Sequence, residues 1–270
     1  MRPRISVVMA VYNDRRFVEA AIRSVLDQTV VDFEFIIVDD GGSDGTLDLV
    51  ARLAATDRRI RVVEQVHAGL TKALNRGLRL AEGAYVARLD ADDVAAPERL
   101  EKQISYLEAH TDIAACGTLG WLIDESGKRI GEKNLAISSD EIYRRLLWNN
   151  QCIHSSLCFR RDLLEKIGGY DETFERSQDY ELILRLAAKY PIGNLSERLI
   201  SWRVSAASLS WSGKRQEWDA IRARFRAITK YGYPKLLGLA CIILRLGWMA
   251  VPQVIKRKGL KIRYDIFSCT

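Results

Sequence analysis

Apolar residues in the first 110 positions fall into short continuous runs and longer periodic ones, in alternation. Ile5 to Val11 is a short run and ends at Tyr12-Asn13-Asp14. A short apolar run broken only by the small Ser6 predicts a strand covered on both faces, as in the middle of a parallel sheet. Phe17 to Leu26 follows, with Phe17, Ala21, Ile22, Val25 and Leu26 at helical spacing. Phe33 to Val38 is a second strand, ending at Asp39-Asp40-Gly41-Gly42-Ser43-Asp44-Gly45. A helix over Thr46–Leu53, a strand over Ile60–Val63 and a helix over Leu70–Ala81 come next, the last stopped by Gly83. Tyr85 to Leu89 is a further strand. Pro97 then opens a helix to about Ala109, in the first turn where proline is tolerated.

Strict alternation predicts an α/β fold with a mostly parallel sheet and right-handed crossovers. Ligands of such sheets bind beyond the carboxyl ends of the strands. Three strands end there in polar residues: Tyr12-Asn13, Asp39-Asp40 and Asp90-Ala91-Asp92. The third continues into Asp93, so three carboxylates occupy four positions after a buried strand. Like charges resist burial together unless something positive compensates them, and a divalent cation carrying a diphosphate does so. A solvated acidic turn is the plain alternative for that string taken alone.

The alternation weakens after residue 110. Ala114–Ile123 reads as a strand, Glu125–Lys128 as a turn and Ser139–Leu147 as an amphipathic helix. Leu157–Arg160 and Arg198–Val204 read as strands, Arg161–Ile167 and Asp179–Tyr190 as helices, and Gly168–Asp171 as a turn. Glu217–Ala227 is a basic helix. Leu236 to Val251 is almost wholly apolar, broken by Arg245, and Lys256-Arg257-Lys258 follows. The run is short for a membrane span and carries a charge inside it. A helix lying on an anionic membrane surface fits it better; packing on the core or in a dimer interface remains the alternative.

Bulk composition narrows the field. The net charge is +6, with the excess after Lys214. No CxxC pair and no zinc-type Cys/His spacing involves Cys116, Cys152, Cys158, Cys241 or Cys269, which argues for a reducing compartment. Met1-Arg2-Pro3-Arg4 is basic, but a strand follows and Asn13-Asp14-Arg15-Arg16 interrupts it, unlike a secretory leader. The expected place is the cytoplasm, peripherally on the inner face of the cell membrane. There is no GxGxxG after the first strand, which counts against a dinucleotide dehydrogenase.

Three motifs in order, Ile5–Asn13, Ile36–Thr46 and Leu89–Asp93, closely resemble the family 2 glycosyltransferases over about residues 4–210. The resemblance implies the GT-A fold and inverting transfer from a nucleoside-diphosphate sugar, of uracil type. It implies a catalytic domain over 1–210, with a nucleotide-sugar half to about 110 and an acceptor half beyond, and a helical extension over 211–270. By the same resemblance Ala10 and Tyr12 line the base and ribose, and Asp39 accepts from the base N–H. An aromatic face and a carboxylate suit an imide-bearing base. Asp44 is as good a cap for the helix at Thr46, which frees Asp39 for a ligand.

The family's DxD motif falls on Asp90-Ala91-Asp92, with Asp92 as ligand to Mn²⁺ or Mg²⁺ and Asp90 as its partner at the metal or the ribose. Asp93 is expected only to cap the next segment. Lys72 is a candidate for the phosphates. The base is expected in an acidic pair opening a helix, here Gln178-Asp179, so Asp179 takes that role and Gln178 departs from the pattern. A helix N-terminus lowers an Asp pKa, so the environment has to oppose that effect for good basicity. His154, in Ile153–Ser156, is a candidate for the acceptor, with Gln178. Arg203, in Trp202–Ser205, is a candidate for the diphosphate or for an ion pair near Asp179. The implied acceptor is a lipid-linked or polysaccharide-precursor hydroxyl, with no nucleic-acid partner. A sugar nucleotidyltransferase and a non-catalytic nucleotide-sugar binder share the same sheet and stay open here.

Overall fold

The computed structural model describes residues 2–204 and 213–250. Cys269 and the Lys256–Lys258 run lie outside them. Four strands of the first half are parallel: β1 (Ile5–Val11), β2 (Phe33–Asp39), β3 (Ile60–Glu64) and β4 (Tyr85–Arg88). They lie in the order β3-β2-β1-β4, so the chain winds outward from β1 in both directions. Ligands of an open α/β sheet bind at such a reversal, outside the carboxyl ends of the two central strands. Here those ends deliver Tyr12–Asp14 and Asp90–Asp93.

The sheet does not stop at β4. A short strand β5 (Val94–Ala95) is followed later by β6 (Ala115–Ile123), β7 (Arg129–Lys133), β8 (Cys158–Arg160) and β9 (Ile192–Arg203). β8 inserts antiparallel between β4 and β6. β9 runs parallel to β6, and β5 closes the far edge antiparallel to β9. Both halves of the chain thus share one nine-stranded mixed sheet. β5 and β7 are absent from the sequence reading. The first has two residues, and Arg129–Lys133 is an exposed, polar hairpin arm whose pattern carries no buried face. β9 begins earlier than expected, at Ile192, because its middle (Ser196-Glu197) is solvated and hides the continuity.

Helices cover both faces. Ile5, Val7, Met9 and Val11 point to the side packed by α1 (Val18–Leu26), α2 (Thr46–Ala54) and α4 (Arg99–Ala109). Val8 and Ala10 point to the other side, which carries α3 (Leu70–Leu80), α5 (Ser139–Leu146), α6 (Arg161–Lys166), α7 (Gln178–Ala187), α8 (Gly213–Lys230) and α9 (Lys235–Ala250). The C-terminal helices belong to the core: Ala223, Ala227, Ile228, Tyr233 and Cys241 are buried in the same cluster as Leu182 and Leu186. α9 also turns Leu236, Leu239, Ile243, Leu244 and Leu246 to solvent. No helix of the described residues is long and apolar enough to cross a membrane.

Gly83 fixes how the chain enters β4. A Cβ there would meet the β1 backbone, 2.5 Å from the Ser6 nitrogen and 2.6 Å from the Ile5 carbonyl carbon. Gly83 N–H also donates to Ser6 Oγ at 2.9 Å. Backbone cannot yield as a side-chain tip does, so Gly83→Ala is expected to cost about 2–3 kcal/mol, read as a lower midpoint in urea.

Candidate active site

The first part of the candidate site, where the nucleotide is expected, is built from the ends of β1, β2 and β3. Tyr12 is half exposed, and its ring stacks on His67 with centroids 4.2 Å apart and planes 28° from parallel. Ala10 is buried two residues before it. Asp39 is buried; Oδ2 accepts from Gly41 N–H at 3.0 Å, while Oδ1 has no partner among the described residues. Burial raises its pKa against the Gly41 hydrogen bond. Asp44, as expected, takes the helix start instead, accepting from Thr46 N–H at 2.9 Å. Asp40 ties down the loop before α3: it accepts from Gln65 at 2.6 Å and from Ala68 and Gly69 N–H at 2.9 Å each, and lies 2.8 Å from His67 Nδ1. Lys72 is exposed on the first turn of α3.

The three carboxylates after β4 have three different surroundings. Asp90 pairs with buried Arg88 through Oδ1 and accepts from Ser155 Oγ at 2.6 Å through Oδ2, with His154 Nδ1 3.6 Å away. Burial opposes its charge, but Arg88 and then His154 outweigh burial and hold it well below the usual range. Asp93 is fully buried; it accepts from Ser155 Oγ and, at 2.8 Å, from Arg203 N–H. It clamps β9 to the acidic turn, which is more than the capping role expected of it. Burial, then Asp92 and Asp90, push its pKa well up. Asp92 sits between them. Burial first, then the charges of Asp90 and Asp14, push it up to about 7. Asp14, which accepts from Tyr12 N–H at 2.8 Å, rises to about 6 by burial, with Asp90 adding to it. Ala91 is buried within this turn.

Arg203 is engaged close by. Its guanidinium donates to the carbonyls of Asp92 and Asp124 at 2.8 Å each and of Glu125 at 3.2 Å, and lies over the Phe17 ring at 4.4 Å. It fastens the backbone of Asp92 and does not pair with Asp179.

The second half of the chain meets this cluster through a 3-10 turn, His154–Ser156, shortly before β8. His154 Nε2 lies 2.8 Å from the Tyr170 hydroxyl. Burial raises the Tyr170 pKa, and the charges of Asp90 and Asp179 reinforce the rise. Asp179, on the first turn of α7, accepts from Asn150 Nδ2 at 2.9 Å. Gln178 beside it is buried. The sequence reading gives no site role to Asp14, Arg88, Asn150, Ser155 or Tyr170. Arg88 had a legible signal, a cation inside an apolar strand directly before three acids.

Among the described residues no three His, Cys, Asp or Glu side chains could enclose a metal unaided. The donor set still fits a hard divalent cation brought with a diphosphate. Asp92 is an oxygen donor beside the like charges of Asp90 and Asp14, and such a cation takes few protein ligands beside phosphate oxygens and water.

Residues 6–168 match the family described as Glycosyl transferase family 2. The chain is 35% identical over 206 residues to the O-antigen biosynthesis glycosyltransferase WbnJ of Escherichia coli, covering 74% of this chain and 79% of that one. Its fold is similar to S. aureus TarS 1-349 in complex with UDP-GlcNAc, with a TM-score of 0.72, 17% identity and 91% and 72% of the two chains covered. It is also similar to the mannosyltransferase PcManGT from Pyrobaculum calidifontis in complex with GDP-Man and Mn²⁺, with a TM-score of 0.66, 20% identity and 99% and 84% covered. The chain belongs to the family 2 glycosyltransferases and is a glycosyltransferase with the GT-A fold.

The raised Asp92 pKa has a stability consequence. An unfolded Asp titrates near 4, the folded one at about 7. The native state therefore keeps a proton there that the unfolded chain has lost. This contribution is complete below about pH 4 and lost as pH rises through about 7. Asp92→Asn carries no such loss. Its melting temperature is expected to match wild type at pH 4 and exceed it by about 2–4 °C at pH 8 without ligands.

Proposed function

We propose that this glycosyltransferase takes a nucleoside-diphosphate sugar, of uracil type, and transfers the sugar with inversion to a hydroxyl of a lipid-linked or polysaccharide-precursor acceptor. The observation that carries the donor reading is the unpartnered, buried Asp39 Oδ1, close in the sheet to the half-exposed Tyr12 face. A base with an imide N–H stacks on the ring and donates to that oxygen, and a buried acceptor left without its donor disfavours bases that lack one. Lys72 and Ala10 border the same strand ends. Relatives with glycan-biosynthesis names support the acceptor class.

Asp92 is the residue that would hold Mn²⁺ or Mg²⁺. Asp90, with both oxygens already engaged, supports the metal or the ribose from beside it. When bound, the metal offsets the negative charge gathering on the departing diphosphate. Arg88 keeps Asp90 ionised, and Arg203 and Asp93 hold the turn in place. The acceptor oxygen attacks the anomeric carbon opposite the diphosphate, whose bond to that carbon breaks as the new one forms. Asp179 takes the hydroxyl proton, its carboxylate aimed by Asn150. His154 and Gln178 border the space where the acceptor arrives.

Purified protein offered a panel of nucleotide-sugars and lipid-linked acceptors is expected to release nucleoside diphosphate, to stop with EDTA and to resume with Mn²⁺. Asp179→Asn should lower turnover by about 10²–10⁴ while binding UDP as wild type does. Turnover indifferent to EDTA, or pyrophosphate release from a nucleoside triphosphate, contradicts the reading.

The outward face of α9 supports attachment to an anionic membrane surface. It bears five large aliphatic residues and no acid, and Lys235 opens the helix. The chain should float with vesicles containing phosphatidylglycerol and not with pure phosphatidylcholine. Leu239→Asp with Ile243→Asp should abolish flotation and leave UDP binding intact.

A further inference from the structure

The turn that presents Asp179 is under strain and has no cap of its own. Ser177, at the N-cap of α7, is left-handed (φ 54°, ψ 24°) without being glycine, and its side chain caps no helix N–H. Such a backbone is strained and persists only where neighbours enforce it. The neighbours here come from α8. Buried Asp219 accepts from Arg176 N–H at 3.2 Å through Oδ2, while Oδ1 takes Arg222 at 2.7 Å. Ser177 Oγ donates to the Gln216 carbonyl at 3.2 Å, and Arg215 pairs with Glu175 at 2.7 Å. The first turns of α8 thus grip residues 175–177, immediately before Gln178 and Asp179.

The same helix reaches Asp179 from a second side. Arg224 is buried, its cation over the Tyr180 ring at 4.8 Å. It donates to the carbonyls of Leu147 at 2.8 Å and Trp148 at 3.0 Å. These fix the segment that ends in Asn150, the donor to Asp179. A buried arginine satisfied mainly by loop carbonyls fixes backbone, since those carbonyls accept nothing better elsewhere.

We propose that α8 is a brace for the Asp179 carboxylate, with Asp219 and Arg224 as its positioning residues. The inference rests on Asp179 being the base. It makes the C-terminal helices part of the catalytic apparatus, although neither residue touches substrate.

Hydrogen exchange on the full chain tests the brace without reference to turnover. In wild type, the Arg176 amide is expected to be protected although it precedes the helix; an unprotected Arg176 amide overturns the proposal. Asp219→Ala should speed exchange across 174–182 by about tenfold or more and leave 85–95 unchanged. Asp219→Asn, which keeps an acceptor for Arg176, should fall close to wild type. Arg224→Met should loosen 146–151. In the nucleotide-sugar assay, Asp219→Ala should lower kcat by about tenfold or more with KM for the donor and UDP affinity unchanged. Unaltered exchange over 174–182 in Asp219→Ala also overturns it. If Asp179→Asn keeps full turnover, the base reading fails, while the exchange data still decide whether α8 holds the turn.

Discussion

A buried arginine stands beneath the carboxylates of this site, and the site's arrangement follows from it. Arg88 ends β4 in a strand that is otherwise apolar, and its charge is answered by Asp90. Arg88 is itself held from below: its carbonyl accepts from buried Arg99 at 2.6 Å, and Arg99 leans on Gln103 at 2.9 Å. Gln103 in turn binds the carbonyls of Cys116 and Ser156. A buried charge without its counter-charge is costly, so this column of polar groups forms together or not at all. Its effect is to divide the acids. The compensated Asp90 stays ionised, while Asp92 carries the repulsion that remains.

That division depends on residues far away in the chain. Ser155 Oγ lies within hydrogen-bond reach of both Asp90 and Asp93, and it sits on the turn that leads into β8. Arg203, at the end of β9, binds Asp93 through its backbone and Asp92 through its side chain. The second half of the chain therefore also shapes the acidic turn. His154, beside Asp90, continues this group to the Tyr170 hydroxyl.

The first half of this fold was legible because its physics is local. A doubly buried strand must be continuously apolar, and its polar end must face the open edge of the sheet, so Tyr12, Asp39 and Asp90–Asp92 announced themselves. The second half was less legible. β5 is too short to carry a period, β7 too exposed, and β9 is interrupted by Ser196-Glu197. The hidden part of the candidate site has the same cause. Asn150, Ser155 and Tyr170 lie in irregular segments, and each gains its meaning from a partner 16 to 65 residues away. Asp14 was read as the end of a strand and little else, because what makes it unusual, its burial and then the nearby charge of Asp90, arises only in the folded chain.

The closing edge of the sheet bears on how the chain reaches this state. β5 pairs with β9, and the Arg203 N–H that meets Asp93 comes from 110 residues further on. Such a long loop is entropically expensive to close, and contacts of this separation form late relative to local ones. The parallel strands β1 to β4 and their helices can gather before β9 exists. The acidic turn cannot take its final form until β9 has arrived, so a chain emerging from synthesis acquires its candidate metal site only after most of its length has been made.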